Sequence, residues 1–279
     1  MSSGCRIEGV RQMGTSTRWQ GPRWRGLSTR LARWDTDRSD PGATVDAAIE
    51  DLWDACRRDP TAFGLRDTAR SAGDRLAGAM AVLATEGPAG LIRPDPAEPW
   101  QDYADAFVTG LTRQVAGDGT SIADAAVRRA MGASVRRLLE THPEVRDAVS
   151  DPELAGRGWF GELLCFLYQW FFADLVTEFL QSVVAEKIKL TLPVLVIVDA
   201  EDRIADKIAE RIVSLVPNPC EEIAADQDPG AAKAATDALS GEVEVPPLSD
   251  MARRLVPGTV GKILGFGIDS LIQDEGDAA

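Results

Sequence analysis

Between Val45 and Val216 apolar side chains return every three or four residues, the spacing of one helical face rather than the alternation of a strand. Val45, Ile49, Leu52, Trp53 and Cys56 make the first such face. Asp59-Pro60 stops it, because proline has no N–H to give the next turn. A second helix is predicted from about Arg66 to Glu86; its Ala and Gly content lets a neighbour pack closely. Pro88, Pro94, Pro96 and Pro99 then impose a loop. A third helix covers about Gln101 to Val115, with Tyr103, Phe107 and Leu111 on one side. Gly117-Asp118-Gly119 makes a turn. Thr120 or Ser121 can cap a fourth helix through Val127, Met131, Val135 and Leu138 to Thr141, and Ser121, with Asp124 three residues on, resembles a capping box. His142-Pro143 marks its end.

The densest apolar run is Trp159 to Leu190, about 48 Å long if helical throughout. Its apolar residues point in nearly every direction, so it is predicted to be the central, buried helix. Glu162, Gln169 and Asp174 interrupt the run. An acid at a bilayer centre costs about 2.5–3.5 kcal/mol, which favours a core helix over a membrane span. Leu192 to Asp199 is ambiguous: a branched run ending in Asp fits a parallel strand that delivers the acid of a hydrolase triad. No G-x-S-x-G elbow accompanies it, and the single histidine lies upstream. Pro193 suits the first turn of a helix, and Ile197, Ile204, Ile208, Ile212 and Leu215 keep helical spacing, so Pro193 to Val216 is predicted helical.

After Pro217-Asn218-Pro219 the chain changes character. Residues 221–248 are Ala, Asp, Glu, Gly and Pro, and read as a disordered acidic linker. Leu248–Leu255 and Val260–Ile272 are short amphipathic segments that pack back or bind a partner. The expectation is therefore an all-α protein: a helical bundle-like domain over 43–216, a flexible basic arm over 13–42, and a low-complexity acidic tail over 217–279. Met1 to Gln12 shows neither pattern nor core and reads as an extension preceding the native start.

Charge sharpens this division. The formal net charge is −14, yet Met1 to Trp34 carries seven arginines and one acid, a net +6 that leaves −20 for the remainder. So acidic a body argues against a broad nucleic-acid-binding face. Trp19, Trp24 and Trp34 interleave with Arg18, Arg23, Arg25 and Arg33, offering contact area and charge to a partner, or anchoring the arm to the body. Four cysteines, Cys5, Cys56, Cys165 and Cys220, form no CxxC pair; that argues against a metal knuckle or disulfide framework and points to a reducing cytosol. His142 alone is poor material for general-base catalysis. Asp199, Glu201, Asp202, Asp206 and Glu210 alternate with Arg203, Lys207 and Arg211, a salt-laced face rather than a Mg²⁺ site. Arg128-Arg129 and Arg136-Arg137 read as another solvated or ion-paired face. Pro257-Gly258-Thr259-Val260-Gly261-Lys262 lacks the glycine spacing and hydroxyl of a phosphate loop. No catalytic residue, metal or cofactor is expected.

Met13-Gly14-Thr15-Ser16, then Gly21-Pro22 and a basic stretch with Leu27, Arg30, Leu31 and Trp34, is similar to the start of QatB proteins of the Qat anti-phage defence systems. Asp118-Gly119-Thr120-Ser121-Ile122-Ala123-Asp124-Ala125 resembles that family's turn into a helix. Trp170 to Asp174 and Phe179-Leu180-Gln181 resemble its long aromatic helix. The resemblance covers about residues 13–216. It implies a non-catalytic component that works with other Qat-system proteins. With the charge and the cysteines, the expectation is a cytoplasmic protein touching neither membrane nor nucleic acid. The alternatives are a membrane-active or pore-forming helical effector built on Trp159–Leu190 and an adaptor without N-terminal modification. A QueC-like, ATP-using partner would join a deazaguanine-type base to its N-terminal glycine. The acceptor would be Gly14 after loss of Met13, with Thr15, Ser16, Thr17, Arg18, Trp19, Gly21, Pro22 and Trp24 recognised by that partner. The sequence departs from the pattern in carrying twelve residues before Met13, so the expectation requires a start at Met13 or a cleavage before Gly14. Arg18 stands where N-myristoylation needs Ser or Thr.

Overall fold

The computed structural model describes residues 41–92, 103–151, 161–191, 207–226 and 248–265. Every element among them is helical, as the periodicity predicts, and none is a strand. Helix α1, Pro41–Arg58, buries Ile49, Leu52 and Cys56. The chain then reverses through a 3-10 turn at Ala62–Gly64, where Phe63 (φ 58°) and Gly64 (φ 67°) are left-handed. Such a backbone costs a phenylalanine about 1–2 kcal/mol. Burying its ring edge-on against Phe179, centroids 5.7 Å apart, offsets that cost.

Helix α2, Leu65–Thr85, buries Leu65, Ala69, Ala72, Leu76, Met80 and Leu83 in one stripe. Gly73 lies in that stripe, and a Cβ there would stand 2.8 Å from both Phe172 and Val256. The absence of a side chain lets two other helices close on α2. A second 3-10 turn, Pro88–Gly90, leads on, and α3 spans Tyr103–Ala116. Helix α4, Ile122–Thr141, is followed at once by α5, Pro143–Ser150. His142 thus ends one helix and begins another, and α5 fixes Val145 and Val149 in the core.

Helix α6, Gly161–Thr191, is the central element. Leu164, Leu167, Tyr168, Phe171, Phe172, Leu175, Val176, Phe179 and Leu180 are all buried. The broadest helix contact in the fold is α4 on α6, and the next is α2 on the C-terminal helix. Residues 207–213 are helical and bury Ile208 and Ile212. The rest of the segment from Pro193, with its strand-or-helix ambiguity and most of its acidic run, lies outside the described residues.

Beyond Val216 the helical body continues. Pro219–Asp226 forms α7, where the composition reads as linker, and Leu248–Leu264 forms one unbroken helix, α8. Two short segments, Leu248–Leu255 and Val260–Ile272, are expected there, the last seven residues of the second lying outside the described residues. Instead Pro257 sits inside the helix, and Met251, Ala252, Val256, Val260, Ile263 and Leu264 all enter the common core. Tyr168 and Thr259 hydroxyls meet at 2.9 Å in that interface, and Trp53 Nε1 donates to Ile263 O at 2.9 Å. Of the two roles open to this region, packing back is the one observed.

Candidate functional site: the α4–α6 seam

Asp174 is the one buried carboxylate on α6 among the described residues, and α4 supplies its partners. Arg137 Nη2 donates to Asp174 Oδ1 at 3.0 Å, and Ser134 Oγ lies 2.7 Å from Asp174 Oδ2. Ser134 Oγ also stands 2.9 Å from Ala130 O, although a serine hydroxyl has only one proton to give. An ionised Asp174 therefore competes with the Ala130 carbonyl for it. A protonated Asp174 can donate to Ser134 and leave that proton for Ala130. Burial pushes the Asp174 carboxyl above its ordinary value, against the opposing pull of Ser134 and Arg137.

From the half-buried Arg137 a ladder of flat groups runs outward. The Arg137 guanidinium lies 5.5 Å over the Trp170 ring. Trp170 stacks on Phe166 with centroids 5.7 Å apart, and Phe166 stacks on His142 at 6.1 Å. His142 Nδ1 pairs with Glu144 Oε1 at 3.0 Å, and the Glu144 carboxyl is held below its ordinary value by its own backbone N–H and by His142. About two turns back along α4, Arg129 pairs with Glu178 at 2.6 Å and with Ser182. One arginine of each α4 pair, Arg129 and Arg137, is thus ion-paired onto α6, whereas Arg136 is exposed. Such an arrangement locks the register of two helices. His142 is engaged by Glu144 and Phe166 at the α4–α5 junction.

The Asp118–Ala125 turn is built as a cap. Asp124 N–H donates to Ser121 Oγ at 3.1 Å, and Ser121 N–H donates back to Asp124 Oδ2 at 2.8 Å. This is the capping box expected from the sequence. Gly119 is required beside it, since a Cβ there would lie 2.3 Å from Asp124 Cγ. Arg128 Nη1 donates to Gly119 O at 2.6 Å. Arg75 Nη1 donates to the last carbonyls of α3, Val115 and Ala116, at 3.2 and 3.1 Å, where a cation meets the negative end of that helix. Gly117, with φ 64°, supplies the left-handed residue after α3.

Gly14, Thr15, Ser16, Thr17, Arg18, Trp19, Gly21, Pro22 and Trp24 all lie outside the described residues. Within them, the reading of the cysteines is corrected. Cys165 and Cys220, read as unpaired, form a disulfide across 55 residues of sequence, so the cysteines no longer point to a reducing cytosol. Separation hides such a pair from spacing rules, and only the packing of α7 on α6 brings it together. Cys56 is a free, buried thiol that burial pushes up to about 12. Glu210 pairs with Lys207 at 2.6 Å, and Arg211 with Asp46 at 3.0 Å, so this end of the acidic run is salt-laced. Among the described residues no group of three His, Cys, Asp or Glu is placed to hold a metal ion. Among the described residues one helix, α6, is long and apolar enough over Gly161–Ser182 to cross a membrane, and most of that stretch is buried against its neighbours, as in the core helix of a soluble protein. No family model, curated protein or solved structure matches the chain.

Proposed function

We propose that this chain is a cytoplasmic, QatB-like component of an anti-phage defence system, a helical body that presents Gly14 to a QueC-like enzyme for attachment of a deazaguanine-type base. The observation that carries the reading is the order of three motifs along one chain: Met13–Ser16, Asp118–Ala125 and Trp170–Gln181. The chemistry of the acceptor supports it. A terminal α-amine has a pKa near 7.7–8.0, so a useful neutral fraction exists at cellular pH, whereas lysine near 10.4 stays protonated. Glycine puts no side chain in the path of the incoming group. The helical body supports a carrier role rather than an enzymatic one, because the chain's single histidine is engaged at the α4–α5 junction.

The test is intact-mass and N-terminal peptide mass spectrometry on chain co-expressed with its genomic neighbours. The expected result is a chain beginning at Gly14 and bearing the mass of the base, lost when Gly14 is replaced by Pro. An unmodified Gly14, or a cellular chain that begins at Met1, overturns the proposal.

A further inference from the structure

The Cys165–Cys220 disulfide is built asymmetrically. Cys165 belongs to α6 and is 1% exposed, whereas Cys220 is partly exposed near the start of α7. Helix α7 has eight residues, and Glu221 and Glu222 at its start face solvent. A helix that short has little stability of its own. What holds it, apart from the disulfide, is modest. Gln169, one turn along α6 from Cys165, donates to Val216 O at 3.3 Å. Asn218 Oδ1 accepts from Cys220 N–H at 3.0 Å, Pro219 is buried, and α7 leans on α6 and α8. The disulfide is therefore the one covalent tie between a marginal surface segment and the rigid centre of the fold.

We propose that Cys165–Cys220 is a reversible thiol–disulfide latch, which fixes residues 216–226 on α6 and α8 when closed, is opened by a dithiol reductant and is closed again when a cyclic disulfide oxidant runs the same exchange backwards. A dithiol thiolate attacks the sulfur of the partly exposed Cys220; the S–S bond breaks, and its electron pair goes to Cys165, which takes up a proton. The second thiol of the reductant then displaces Cys220 as a thiol. The reductant departs as a cyclic disulfide, so two electrons and two protons have passed to the protein. Attack at Cys165 itself is blocked by burial. Cys56 stays out of the exchange, because its elevated thiol pKa leaves almost no thiolate. The α4–α6 seam and the α2–α8 contact contain no part of the bond, so opening loosens α7 and leaves the body folded. The latch is independent of any reaction at Gly14.

The test uses the full chain, with Cys5 changed to Ser so that one candidate pair is measured, equilibrated in reduced and oxidised dithiothreitol. Differential alkylation with peptide mapping reads the bond, and hydrogen exchange reads the segment. Oxidised protein is expected to yield the linked Cys165 and Cys220 peptides. On reduction, exchange over 216–226 is expected to quicken by about tenfold or more, with 122–141 and 164–180 unchanged. Cys220→Ser is expected to show the reduced pattern in both buffers. Failure of the bond to form, exchange over 216–226 that ignores the redox state, or a Cys220→Ser protein that still responds, each overturns the proposal. Should Cys220→Ser fold poorly, the reduced parent chain gives the same comparison.

Discussion

Asp174 shows how a single side chain can be both anchored and costly. Its carboxyl sits above its unfolded value of about 3.9 because burial disfavours the charge more than Ser134 and Arg137 favour it. Between those two values the folded state holds a proton that the unfolded chain has released. Its contribution to stability is therefore fully present below the unfolded pKa and lost as pH rises through the folded one. Asp174→Asn cannot titrate, so the stability of the parent relative to this variant is expected to rise as the buffer is taken from about pH 7 towards about pH 4. Urea unfolding at each pH measures it, and a difference that shrinks on acidification would count against the burial argument. At the other end of α4, Gly119→Ala should push the Asp124 carboxylate out of the capping box and cost about 1 kcal/mol. Asp124→Ala should cost the same, and the double variant little more than either alone, since both remove one cap. Fully additive losses in a thermal-denaturation cycle would show that Gly119 serves something else.

At the scale of elements, α2 carries two glycines that look alike in sequence and differ in surroundings. Gly73 is closed in by Phe172 and Val256, whereas nothing lies within 4 Å of a Cβ at Gly78. Alanine at 78 should stabilise by up to about 1 kcal/mol through helix propensity. Alanine at 73 should destabilise by about 1–3 kcal/mol, because two fully buried side chains must move. Chemical denaturation of the pair separates packing from propensity, and equal effects would refute the α2–α6–α8 crossing. Helix positions were readable because burial writes a three-to-four-residue period, as at Phe107 and Leu111 or Val127, Met131 and Val135. The Ser121–Asp124 cap was readable because both partners are local. Helix α5 was missed, since eight residues with only Val145 and Val149 in the core leave almost no period. The continuity of α8 was missed because Pro257 argues for a break that tertiary packing overrides. The partners of Asp174 and of Cys165 depend on how helices distant in sequence register against each other, and no local pattern encodes that. The candidate acceptor Gly14 and its neighbours rest on motif resemblance alone.

At the scale of the molecule, the question is whether α8 is part of the body or an attachment to it. Its apolar residues are continuous with the core of α1, α2 and α6, and three different contacts fasten it: Val256 against Gly73, Thr259 with Tyr168, and the Ile263 carbonyl with Trp53. Removing residues 227–279 would expose the buried stripe of α2 to water and take Thr259 away from the Tyr168 hydroxyl. The lost burial of the α8 side chains costs about 25 cal/mol per Å² of apolar surface. Marginal domains are stable by only about 5–15 kcal/mol in total. A chain ending at Asp226 is therefore expected to lose its near-ultraviolet dichroism and its sharp denaturation transition while keeping helical content. Tyr168→Phe in the full chain should lower stability modestly, and adding Thr259→Val should recover part of that loss, because both polar partners are then gone. A truncated chain that unfolds as sharply and at the same denaturant concentration as the full one would make α8 an appendage. In that case the acidic tail would be free to serve a partner instead of the fold.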